Sequence, residues 1–113
     1  MIYPKEDSEQ ETFVNWFRMN YQKWIIFAIP NGGNRDKIEG AKLKKTGTLA
    51  GVPDLIVLMD SKMLFIEMKK RDGKLSKAQK ELIPKINNLG FDVIVAYGFM
   101  DAKEQFLKYI SKF

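Results

Sequence analysis

The 113-residue chain contains no cysteine and no histidine. Without thiols there is no disulfide framework, thiolate nucleophile or sulfur-bound metal, and an intracellular setting is the natural expectation. Without imidazoles there is no His-ligated zinc site and no His-based triad. Any chemistry must rest on carboxylates, lysines, hydroxyls or a hard cation such as magnesium. Long apolar runs are missing too, and the acidic opening "MIYPKEDSEQE" has no signal-like apolar core, so a cytoplasmic protein is expected. Repeats, low-complexity tracts and linkers are also lacking. With 45% apolar and 29% charged residues, the composition is that of a folded globular domain. At this length the expectation is a single domain, 1–113, with room for one core. Specificity would then come from that unit or from its oligomer.

What is present is first a charge asymmetry. The net charge is +5, but Glu6, Asp7, Glu9 and Glu11 crowd the start, whereas Arg35, Lys37, Lys42, Lys44, Lys45, Lys69, Lys70, Arg71, Lys74, Lys77 and Lys80 fill the middle. Such a middle suits a phosphate backbone, and it suits equally a lysine-rich solvated surface. Charge alone does not decide between them.

The periodicities predict α, β, (α), β, β, α, β, α, a mixed sheet with helices on both faces. Phe13, Val14, Trp16, Phe17 and Tyr21 recur at helical spacing between Pro4 and Tyr21. "WIIFAI" is a short strand ended by the turn chemistry of "PNGGNR", and "DKIEGAKLKKTGTLAG" is a polar excursion that holds at most a short helix. "SKAQKELIPKINNLG" starts at a Ser76 cap, has Leu82, Ile83, Ile86 and Leu89 on one face, and carries Pro84 as a potential kink or early stop. "FDVIVAYG" is a strand, and the last helix turns Phe106, Leu107 and Ile110 inward. Trp16, Trp24 and Phe27 read as core aromatics rather than as platforms for bases.

"GVPDLIVLMDSKMLFIEMKK" is the anomaly, because Asp54, Glu67 and Lys69 stand inside the most apolar part of the chain. If "KMLFIEMKK" is a strand, Leu64, Ile66 and Met68 face one way and Phe65, Glu67 and Lys69 the other. A hairpin turning at Asp60 and Ser61 brings Asp54 opposite or close to Glu67, within reach of one metal ion. A lone Glu-x-Lys would be an ion pair on a solvated sheet face. Pro53-Asp54, twelve residues, then Glu67-x-Lys69 match the PD-(D/E)XK nuclease pattern. In that chemistry two carboxylates hold a divalent cation and a lysine positions the attacking water.

The wider sequence resembles the virus-type replication-repair nuclease (VRR-NUC) family in its stand-alone phage or bacterial form, from about Glu6 to Tyr97. "EDSEQETFVNWFR" is similar to the family's first helix, with Glu6 and Gln10 at its glutamate and glutamine positions. "AIPNGGNR", "LKKTGTLAGVPDLIVL" with Lys44 at the lysine position, "LFIEMKKRDGKLSKAQ" and "LGFDVIVAYG" match further segments. The resemblance implies a restriction-endonuclease-like fold, a mixed central sheet flanked by helices. It also implies a phosphodiesterase that uses Mg2+ or Mn2+ on DNA in a bacterial host or phage-infected cell. Asp54, Glu67, the Met68 carbonyl and Glu6 would bind the metal, with Glu9 the substitute for Glu6; Lys69 would assist the nucleophilic water.

Gln79 shares a face with Leu82, Ile83 and Ile86, so it either orients a site group, touches phosphate, or is a satisfied core amide. Lys44, Arg35, Asn31, Gly32 and Gln10 are candidate DNA contacts; Lys44 also reads as a surface lysine, and Asn31 and Gly32 also read as turn residues. The expected activity is a homodimeric, structure-selective endonuclease for four-way (Holliday) junctions, because paired nicks need two sites related by a two-fold axis. Apolar residues outside the core, among Tyr3, Trp24 and Phe99, would form the interface. A flap or general DNA nuclease, a sequence-specific restriction endonuclease and a non-catalytic DNA-binding module are the alternatives.

Overall fold

The computed structural model describes residues 2–30 and 37–113. Its elements follow the expected order: α1 (Glu6–Asn20), β1 (Ile25–Ala28), α2 (Lys37–Lys45), β2 (Leu55–Met59), β3 (Lys62–Lys69), α3 (Lys77–Asn88), β4 (Asp92–Tyr97) and α4 (Phe99–Ile110). The sheet order is β1-β2-β3-β4, antiparallel except for the parallel β3–β4 pair. A parallel pair cannot be closed by a tight turn, so α3 makes the crossover. Asp60 and Ser61 alone join β2 to β3, with Ser61 at φ 56°. That register pairs Leu55 with Ile66 and therefore sets Asp54 opposite Glu67.

Period-two alternation turns Leu55, Val57, Leu64, Ile66 and Met68 toward α1 and α4, where they meet Phe13, Phe17 and Phe106. These three rings are fully buried, and burial of each contributes about 2 kcal/mol. Phe17 and Phe106 meet edge-on with centroids 5.4 Å apart. Acidic Glu6, Asp7 and Glu9 in the first turn of α1 complement its dipole. Glu67 points to the opposite side of the sheet, where Gln79 of α3 bonds to it, so helices cover both faces.

Three apolar positions, Leu107, Leu89 and Phe27, are less buried than their patterns suggest. Leu107 and Leu89 are exposed, because Leu107 lies beyond the buried stripe of α4 and Leu89 is already the C-cap of α3. Phe27 is exposed as well, since β1 is an edge strand and α3 packs over β4 at the far side of the sheet. Tyr3, Trp24 and Phe99 are half-buried, with Trp24 stacked on Tyr21 and Phe99 against Trp16. Pro84 does not shorten α3, which runs on to Asn88; the carbonyl that loses its N–H partner belongs to Lys80, an exposed residue that water can satisfy.

Candidate metal centre

The hairpin supplies two carboxylates and α1 a third. One oxygen each from Glu6, Asp54 and Glu67 lies within 4.8 Å of the others. Glu67 is fully buried, which removes the reading of Glu67 and Lys69 as an ion pair on a solvated face. Asp54 Oδ2 accepts from the Met68 backbone N–H at 3.1 Å, so Met68 enters the site through its main chain while its side chain fills the core. Lys69, 8% exposed, places Nζ 3.5 Å from Glu67 Oε2.

Gln79 is held from two sides. Ser76 caps α3, and the reciprocal box has Gln79 N–H donating to Ser76 Oγ while Gln79 Oε1 accepts from Ser76 N–H at 2.8 Å. With Oε1 turned to the Ser76 N–H, the amide presents Nε2 on its other side, and it donates to Glu67 Oε2 at 2.8 Å. Both readings of Gln79 thus merge: it is a satisfied amide, and it orients a site carboxylate. Gly51 lets the loop before Pro53 lie on this first turn, since its φ is 90° and a Cβ would meet the Ala78 carbonyl at 2.6 Å.

The electrostatics are unfavourable for three bare carboxylates. Burial, then the neighbouring Asp54 charge, push the Glu67 carboxyl up to about 8. Burial also raises Asp54 and Glu6, each opposed by Lys69. Glu67 Oε1 is buried with no hydrogen-bond partner among the described residues. An orphaned carboxylate oxygen costs free energy unless a proton or a cation meets it. Three hard oxygen donors with an orphan among them fit a hard divalent cation.

The VRR-NUC domain family matches residues 1–100. The chain belongs to this family of nuclease-type domains. A solved structure titled "VRR_NUC domain protein" superposes on the fold with a TM-score of 0.76 at 27% identity, covering 97% of this chain and 91% of that one. No curated protein matches the chain.

Not every expected residue of the VRR-NUC pattern gathers at the cluster. Glu6, Asp54, Glu67, Met68, Lys69 and Gln79 converge, whereas Glu9, the substitute for Glu6, pairs with Arg71 instead. Gln10 lines a separate groove with Asp7, Val14 and Arg18. Lys44 is exposed in the last turn of α2. Asn31, Gly32 and Arg35 lie outside the described residues. Sequence reasoning missed the Glu9–Arg71 pair, whose members are too far apart in the chain for any local pattern to join them.

Proposed function

We propose that residues 1–113 act as one metal-dependent endonuclease domain that hydrolyses phosphodiesters in branched DNA, with four-way junctions cut by a homodimer. The observation that carries the reading is the Glu6, Asp54 and Glu67 cluster with its orphaned oxygen beside the nearly buried Lys69. Asp54, Glu67, Glu6 and the Met68 carbonyl would hold Mg2+ or Mn2+. The cation would supply Lewis-acid polarisation of the scissile phosphate and lower the pKa of water. Lys69 orients the attacking water and offsets charge building on the phosphate. Gln79 fixes the Glu67 carboxylate through Oε2 and leaves Oε1 free for the cation. No helix of the described residues is long and apolar enough to cross a membrane.

The test is cleavage of labelled duplex, flap, splayed-arm and four-way junction DNA, with and without Mg2+ or Mn2+. Light scattering of the free and junction-bound protein accompanies it. Paired nicks in the junction by a dimer are expected, and Asp54→Ala should abolish them while DNA affinity persists. Equal cutting of plain duplex, or a monomer in both states, rejects the junction reading in favour of a general or flap nuclease. Full activity of Asp54→Ala rejects the site.

A further inference from the structure

One buried carboxylate takes no part in the cluster. Glu9 is 5% exposed, and its Oε2 accepts from Arg71 Nε at 3.3 Å. Gly98 keeps the space for this contact: its φ is 94°, and a Cβ there would collide with Glu9 Oε2 and Arg71 Cγ. The Tyr3 ring lies 5.9 Å from the guanidinium carbon. The segment before α1, α1 itself and the start of α4 thus converge on a side chain that is still 45% exposed.

Two features distinguish this arrangement from a strut between elements. A guanidinium that ties two elements together frequently sets its fork against both carboxylate oxygens. Here the contact runs through Nε, and the two Nη groups have no hydrogen-bond partner among the described residues. The second feature is place. Arg71 stands two residues beyond Lys69, and the Gly98 N–H donates to the Lys69 carbonyl at 2.9 Å, so both cations hang from one strand end. Two residues of chain reach about 7 Å at most, so Arg71 stands on the same rim of the site as Lys69.

We propose that Arg71 grips the phosphate next to the one being cut, and that Glu9 is its positioning residue. The ligand is the sugar-phosphate backbone and not a base edge. Fixing Nε in advance removes rotamer freedom before the strand arrives, so less ordering is lost on contact. The fork facing solvent then offers two parallel N–H donors to phosphate oxygens. The inference rests on the nuclease reading above.

The experiment uses the full chain and cleavable strands carrying one neutral methylphosphonate at each phosphate flanking the cut. Wild type should lose about tenfold in kcat/KM when the neighbouring phosphate is neutral, and Arg71→Ala should be about tenfold weaker on the charged strand yet indifferent to that linkage. Arg71→Lys should recover only part of the loss, since an ammonium lacks the fork. Glu9→Gln should raise KM more than it lowers kcat, with little added effect in an Arg71→Ala background. Binding by Asp54→Ala protein, followed without turnover, should show the salt slope fall by about one when Arg71→Ala is added. Undiminished sensitivity of Arg71→Ala to the neutral linkage, or losses that merely follow the melting temperature, overturn the proposal while leaving the nuclease reading intact. Failure of wild type to bind or cut any of these strands overturns both.

Discussion

Replacing Glu67 by glutamine should remove most of the fall in stability with rising pH that the wild type shows in chelator. The Glu67 carboxyl sits at about 8 in the folded protein against an ordinary 4.5, chiefly through burial and then through Asp54. The native state therefore keeps a proton that the unfolded chain releases, so stability is fully present below about pH 4.5 and is lost as pH rises through the window to 8. At 1.36 kcal/mol per unit the loss amounts to about 5 kcal/mol, with a slope of about 1.4 kcal/mol per pH unit. Asp54 and Glu6 are raised too and act in the same direction. Against a total stability of about 5–15 kcal/mol, such a loss leaves the metal-free protein marginal at pH 8. Glu67→Gln removes the titration, and its amide oxygen can still accept from Gln79 Nε2. Lys69 loses its partner at 3.5 Å, which offsets the gain by about 1 kcal/mol. Urea-unfolding midpoints followed by circular dichroism from pH 5 to 9 in EDTA should fall steeply for wild type and much less for the variant. Adding MgCl2 or MnCl2 at pH 8 should raise wild type and leave the variant nearly unmoved. A flat wild-type profile in EDTA, or an equal slope in Glu67→Gln, refutes the reasoning.

Lys69→Ala should lose turnover far more than DNA affinity, since one phosphate contact among many basic residues adds little to binding; collapsed affinity with normal kcat in a filter-binding and single-turnover comparison would make it a binding residue. Gln79→Ala removes one bond to Glu67 and half of the Ser76 box, so it should cost about 1–2 kcal/mol in a denaturant titration and weaken half-maximal metal activation. Gly51→Ala meets the Ala78 carbonyl at φ 90° and should destabilise by about 2 kcal/mol or more; a neutral melting shift would show that the loop moves freely off α3.

The hairpin was legible because its information is local: alternation and a two-residue turn together decide which residues oppose each other, and so bring Asp54 to Glu67. Ser76 and Gln79 stand at the spacing of a capping box, so the signal that holds the amide near the site was also in the sequence. Periodicity marks a face but does not say whether anything covers it. Phe27, Leu107 and Leu89 belong to apolar patterns and end up exposed for that reason. The choice between Glu6 and Glu9, one helical turn apart on α1, depended on how the helix is rotated over the sheet, which only packing determines. Pairing of Glu9 with Arg71 follows from that same rotation.

The carboxylates of the cluster have different folding histories. Asp54 and Glu67 belong to one hairpin, a unit of the kind that closes in about 1–10 μs. Glu6 comes from the far side of β1 and α2 in the chain, and its arrival waits on loop closure and the docking of Phe13 and Phe17. A chain caught midway would carry two of the acids and not the third. Completion of the cluster is thereby tied to a long-range contact of the fold, so the third acid joins only where α1 has docked on the sheet.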